Sequence, residues 1–176
     1  QFPEEIAIPG RKTIKLRYGE NPHQQAAVYV EPNTNSALRN LQKLTGRELS
    51  YVNFTDIAAG LESVRIFQEP SAVVIKHNSP CGIALGKSSS ESLVRAVKAD
   101  PESAFGGVVV LNRPIDLKTA KVFAEFKEED GVQMDIVAAP SITDEARDFI
   151  KGVRKSTGIY TFGEIPHEKS NKIHLR

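Results

Sequence analysis

AVVIKHNSPCG, residues 72–82, carries a short apolar run straight into a Lys-His pair and then into proline and glycine. AVVIK (72–76) suits a strand buried on both faces. Three more runs of the same kind follow: GVVVLN (107–112), MDIVAA (134–139) and IYTF (159–162). Segments of helical spacing lie between them. Ser88 and Glu91 have the spacing of a capping box ahead of a helix over 88–99, and further helices are predicted over 117–128 and 143–152. Upstream, Asn53 or Thr55 can cap a helix in which Phe54, Ile57, Ala58, Leu61 and Val64 keep the i, i+3, i+4 spacing of one buried face. AAVYV (26–30) reads as a first strand, and 32–35 as loop. Helices alternating with buried strands imply a sheet covered on both faces. The predicted fold class is α/β, a three-layer sandwich.

The opening QFPEEIAIPGRKTIK (1–15) has two prolines, mixed charge and no amphipathic period, so it reads as a linker or edge segment. The chain also begins without methionine, which reads as a piece of a longer protein. Its 176 residues suffice for a real core without staples, and 23 Lys plus Arg against 22 Asp plus Glu supply no broad field for a polyanion. Nucleic acid is therefore not an expected partner, and any bound anion should be gripped locally. With one cysteine, Cys81, no intrachain disulfide can form. That fits a reducing compartment, with cytoplasm as the default expectation. No signal-peptide core and no apolar run of about 18 residues is present, so neither secretion nor a membrane is indicated.

Ligands of open α/β sheets collect at the carboxyl ends of strands, and three polar clusters are expected at such ends or in Gly/Pro-rich loops. LRYGENPHQ (16–24) crowds Arg17, Tyr18, Glu20, Asn21, His23 and Gln24 around Gly19 and Pro22. An arginine beside a tyrosine hydroxyl can hold a phosphate; a polar turn with a surface ion pair is the competing reading. KHNSPCG (76–82) sets a fixed cation, Lys76, beside a titratable base, His77, in a loop whose path Pro80 and Gly82 would pin. A solvated lysine and a satisfied histidine at a strand exit would look the same. DPESAFGGVVVLNRPID (100–116) places Gly106 and Gly107 where backbone N–H groups can approach a ligand, and delivers Asn112, Arg113 and Asp116 beyond the strand's far end. A tight turn leading into a strand explains it equally.

Zinc chemistry is not supported. The zinc deaminases need a glutamate close to the histidine and a second cysteine soon after the first. Here no Glu stands two residues past His77 and Cys81 is the only thiol, so no metal site is expected. Nothing marks Cys81 as a stabilised thiolate, and a small buried residue is its simpler role.

Taken in order, the three clusters resemble the AICAR formyltransferase domain of the bifunctional purine-biosynthesis family, whose other domain is IMP cyclohydrolase. GRELSYVNFTDIAAGLE (46–62) adds a fourth match. The resemblance runs from about Leu16 to the end, and residues 1–15 look like the connection from a preceding domain. It implies two related cytidine-deaminase-like units in tandem, with 16–176 as the first. It implies formyl transfer from 10-formyltetrahydrofolate, the co-substrate, to the 5-amino group of AICAR, at a zinc-free site and in a homodimer of the full-length protein. By similarity His77 is the general base and Lys76 supplies a cation or proton near the formyl group. Arg17 and Tyr18 hold the substrate phosphate, and Asn53, Phe105 and Gly106 line the nucleotide site. The family's acidic residue before an apolar strand maps to Asp135; an ordinary residue at a strand start remains the other reading of that position. Because the family's domain continues for a second unit, the chain alone is expected to lose most of the rate. A nucleotide-binding module without catalysis is the alternative.

Overall fold

A computed structural model describes residues 4, 5 and 7–166. Its elements in chain order are β1 (Arg11–Lys15), β2 (Ala27–Val30), a 3-10 turn (Ala37–Asn40), β3 (Gln42–Thr45), α1 (Tyr51–Val64), β4 (Ser71–Lys76), β5 (Ser79–Leu85), α2 (Ser89–Lys98), α3 (Pro101–Ala104), β6 (Val108–Leu111), α4 (Leu117–Glu129), β7 (Ile136–Ala139), α5 (Asp144–Val153) and β8 (Gly158–Thr161). Six strands form one mixed sheet in the order β3-β8-β7-β6-β4-β5, and β1 and β2 make a separate antiparallel pair. Strands β6, β7 and β8 run parallel, whereas β4 is antiparallel to both of its neighbours.

Alternation along the strands sorts the core onto two faces. Val74, Val109, Leu111, Val137 and Ile159 pack with Leu93 and Val97 of α2, Phe123 and Phe126 of α4, and Ile150 of α5. Val73, Ile75, Val108, Val110, Ile136 and Tyr160 turn the other way, against Ile57, Leu61 and Val64 of α1 and against Leu16, Val28 and Leu41. With helices on both faces, the molecule is a three-layer α/β sandwich.

Arg11–Lys15 of the opening segment pairs with Ala27–Val30 as a ribbon over the α1 face. Three local expectations are corrected. Helix α1 starts earlier than Asn53: Ser50 is the N-cap, and Asn53 is the N3 partner of a reciprocal capping box. Asparagine in the place usually taken by Glu or Gln hides that box from a sequence reading. At α2 only half of the expected box forms. Ser88 accepts the Glu91 N–H, while the Glu91 carboxylate accepts from Lys87 rather than from Ser88.

The third correction concerns KHNSPCG, which is a hairpin rather than a loop. Lys76 pairs with Ser79, leaving His77 and Asn78 as a two-residue turn, and Pro80 and Gly82 lie inside β5. Both turn residues have positive φ, +54° and +62°, as a type I′ turn requires. Pairing steps from Gly82 to Pro80 opposite Val74 and Ile75, so Cys81 is the bulged residue. Proline is tolerated because β5 is an edge strand.

Candidate active site

The antiparallel course of β4 decides where the chemistry collects. Its carboxyl end, Lys76, lies beside the amino ends of β6, β7 and β8, because Ile75 pairs with Val108, Val108 with Ile136, and Ile136 with Gly158. The carboxyl end of β3 reaches the same edge, since Thr45 pairs with Ile159. One sheet edge therefore gathers Gly46 and Arg47, Lys76 and His77, Gly106 and Gly107, and Asp135. Of the expected clusters, Lys76 and His77 lie at the carboxyl end of β4, whereas Gly106 and Gly107 lie at the amino end of β6. Asn112, Arg113 and Asp116 lie at the opposite edge and serve the fold. Buried Asn112 accepts the Ser71 N–H and donates to the carbonyls of Phe67 and Glu69. Arg113 donates to the carbonyls of Asn112 and Gln68. Asp116 caps α4 through the Thr119 N–H, a contact whose loss costs about 1 kcal/mol.

At the gathered edge, Lys76 Nζ donates to the Phe105 carbonyl at 2.9 Å, tying the Lys-His hairpin to the Phe105-Gly106 segment. Phe105 is 52% exposed, unusual for so large an apolar side chain. Gly106 follows in the left-handed region (φ +73°), donates its N–H to the Gln133 carbonyl, and has open space where a Cβ would stand. That combination leaves room for a ligand to approach the backbone. The ring of His77 sits on the exposed tip of its turn.

Asp135 is anchored rather than loose. Its carboxylate takes Arg47 Nη1 on one oxygen and Arg154 Nη1 at 2.9 Å on the other. Arg47 also donates to the Ser156 carbonyl, and the buried Tyr160 hydroxyl donates to the Arg47 carbonyl at 2.8 Å. Burial, more than the nearby Glu48, pushes the Tyr160 phenol well above its ordinary range, so it remains a donor. Two strand spacings separate Asp135 from Lys76, roughly 10 Å across the sheet. The two are not hydrogen-bonded to each other but could flank one small molecule.

Arg17 and Tyr18, the pair expected to hold a phosphate, occupy the rim around the start of α1. Arg17 donates its backbone N–H to Leu49, and the Tyr18 carbonyl accepts from Tyr51, so the 16–24 turn is docked against the helix cap. The Arg17 guanidinium reaches the Tyr18 hydroxyl at 3.0 Å and lies 4.7 Å from that ring's centre, which preorganises two donors on one exposed patch. The Asn53 carbonyl oxygen is committed to the cap, where it accepts from Ser50 N–H and Oγ. Its NH2 group takes no part in that contact.

Two site residues escaped the sequence reading. Both lie in the 46–62 segment, but no local spacing singles either out. Asp56 falls outside the Phe54, Ile57, Ala58, Leu61, Val64 stripe, where a charged residue reads as solvent-facing. It is 4% exposed and accepts the Asn78 N–H on Oδ1 at 2.7 Å. Burial raises its carboxyl above the usual carboxylate range, partly offset by the backbone N–H groups of Asn78 and His77 and by the charge of His77. A carboxyl raised on folding contributes stability below its unfolded pKa and loses it as pH rises through the folded pKa. Ionised Asp56 is thus a cost at neutral pH. Asp56→Asn, which keeps an oxygen acceptor for Asn78, is expected to raise Tm at pH 7 and to leave it unchanged below the carboxylate range. Calorimetric scans at both pH values check this; an unchanged or lower Tm at pH 7 refutes it.

Cys81 is no candidate nucleophile. Burial and Asp100 push its thiol up, against the pull of Lys76, and its Sγ rests 3.6 Å from the Ser103 carbonyl. Among the described residues no group of three or more His, Cys, Asp or Glu could hold a metal ion, and no helix is long and apolar enough to cross a membrane. A cleft of about 680 Å³ lies at the other edge, lined by residues such as Phe67, Asn112, Arg113 and Glu164. The Lys76 edge brings together His77, the anchored Asp135 carboxylate and the open Gly106.

The sequence model of the AICARFT/IMPCHase bienzyme matches residues 1–176. The chain belongs to that family. Among the curated relatives of this bienzyme family, the bifunctional purine biosynthesis protein PurH of Oceanobacillus iheyensis is 44% identical over 151 residues, 85% of this chain and 28% of the relative. PurH of Halalkalibacterium halodurans is 41% identical over 177 residues, covering all of this chain and 33% of the relative. PurH of Persephonella marina is 40% identical over 158 residues, 89% of this chain and 30% of the relative. The chain thus spans about a third of the length of the bienzyme relatives it matches.

Proposed function

We propose that this chain forms the first, deaminase-like unit of an AICAR formyltransferase domain and serves formyl transfer from 10-formyltetrahydrofolate to AICAR in cytoplasmic purine synthesis. The observation that carries the reading is the convergence of Lys76, His77, Gly106 and Asp135 on one edge, with Arg17 and Tyr18 on its rim. An amine conjugated to an imidazole carboxamide is a weak nucleophile, so its proton must leave as it attacks the formyl carbon, and the resulting oxyanion needs a positive neighbour. His77 on its exposed turn is placed to take that proton. Lys76, one residue back and tethered to Phe105, supplies the cation. Arg17 and Tyr18 grip the nucleotide phosphate, Asn53, Phe105 and Gly106 line its path, and Asp135 acts as a fixed carboxylate at the reacting end.

The edge is open, and the chain covers a third of its relatives' length. Both favour a site completed by a second unit and by a second subunit. They equally favour a narrower function for this chain alone, an AICAR-like nucleotide site without turnover. A formyl-transfer assay run beside a calorimetric titration of AICAR separates the cases. Binding without turnover is expected for this chain, with turnover for the same segment at the family's full length. Absence of both binding and turnover in both forms would refute the proposal.

A further inference from the structure

His77 and Asn78 form a two-residue turn with both residues in the left-handed region, which costs most residues about 1–2 kcal/mol and asparagine less, so a contact from outside the hairpin helps to hold it. Asp56 supplies that contact. It comes from the second turn of α1, on the face that buries Ile57 and Gly60, and it receives the Asn78 N–H at 2.7 Å. It is the one buried carboxylate among the described residues. An amide side chain would accept the same N–H without the penalty of burying an ion. A carboxyl at this position points to an interaction that only a charge supplies, and His77 is the nearby group that gains a charge when it acts as a base.

We propose that Asp56 is the positioning carboxylate of His77: through the Asn78 N–H it fixes the turn, and its negative charge stabilises the imidazolium formed during catalysis. The inference rests on the reading of His77 as the base. In that step the AICAR amine nitrogen bonds to the formyl carbon and its proton passes to His77. When the bond from the formyl carbon to N10 breaks, the proton is returned to N10, giving formyl-AICAR and tetrahydrofolate. A carboxylate that fixes the turn carrying the base, and whose charge favours the imidazolium, lowers the barrier without touching substrate.

The test compares Asp56→Asn, His77→Ala and Asp116→Ala in the protein carrying this segment at the family's full length. Asp56→Asn keeps an acceptor for Asn78 and removes the charge. It is expected to lower kcat about 10- to 100-fold, with KM for AICAR within about threefold and no loss of Tm. Asp116→Ala, a lost helix cap at the opposite edge, is expected to lower Tm and leave kcat unchanged. If Asp56→Asn keeps kcat within twofold while His77→Ala is inactive, the inference falls and the reading of His77 survives. If His77→Ala keeps normal kcat, that reading fails and takes the inference with it. A joint loss of kcat, AICAR affinity and Tm in Asp56→Asn would mark a packing role and also overturn the inference. Should Asp56→Asn fail to fold, Asp56→Glu and Asp56→Ala carry the test: retained charge predicts the higher kcat in the glutamate variant, and equal values reject it.

Discussion

Alanine in place of His77 is expected to lower kcat for formyl transfer by about 10²- to 10⁴-fold, the usual contribution of a positioned general base. The loss should fall on kcat rather than on AICAR binding, because Arg17 and Tyr18, proposed to hold the phosphate, belong to a different segment docked on the α1 cap. Folding should survive, since the imidazole is exposed and lies outside both core clusters. One complication is the backbone: at φ +54° alanine is poorly suited, so part of any effect could come from the turn relaxing. Asparagine tolerates that region far better and cannot act as a base. His77→Asn is accordingly expected to match alanine in kcat while keeping wild-type Tm. Steady-state kinetics at the family's full length, together with thermal scans, measure both quantities. A kcat within tenfold of wild type in the asparagine variant would remove His77 from the mechanism.

The largest stability effect is expected at Gly46. A Cβ there would stand 1.8 Å from the Thr157 carbonyl oxygen and 2.5 Å from its carbon, and the glycine itself has φ +80°. The obstacle is backbone at the amino end of β8, so it cannot swing aside as a side-chain tip would. Either β3 separates from β8 or the turn rebuilds. Gly46→Ala should therefore destabilise the fold by about 3 kcal/mol or more, a fall in Tm of about 6–12 °C for a chain of this size. The consequence reaches the site, because Gly46 leads directly into Arg47, which clamps Asp135 and bonds Ser156. Urea unfolding of this chain measures the loss; a change below about 1 kcal/mol would contradict the close approach.

Much of this architecture was legible from residue order. Runs such as VVV at 108–110 and IVAA at 136–139 have no polar face and suit strands covered on both sides, and Ser88 announced its helix through short-range chemistry. Element ends were less legible where a cap used an unusual partner, as with Ser50 and Asn53. The hairpin at His77-Asn78 was hidden because neither residue is glycine, and a type I′ turn without glycine depends on an outside contact, here Asp56. Strand β3 and the Arg11–Lys15 ribbon were missed because their side chains are mostly exposed and carry no period.

The functional residues divide along the same line. Residue order alone supplies the chemical inventory: a Lys-His pair, an Arg-Tyr pair, two adjacent glycines and an aspartate before an apolar strand, in an order that resembles one family. Consecutive groups stand 28 to 58 residues apart, which local propensity cannot bridge. That they meet follows from the direction of β4, a property of strand pairing across the sheet. Had β4 run parallel to β6, Lys76 would lie at the edge that holds Asn112, and the inventory would be split between opposite ends of the molecule. The structure likewise assigned Asp56 its place. Buried charge beside an αL turn is a relation between α1 and the β4-β5 hairpin, and no spacing within either segment encodes it.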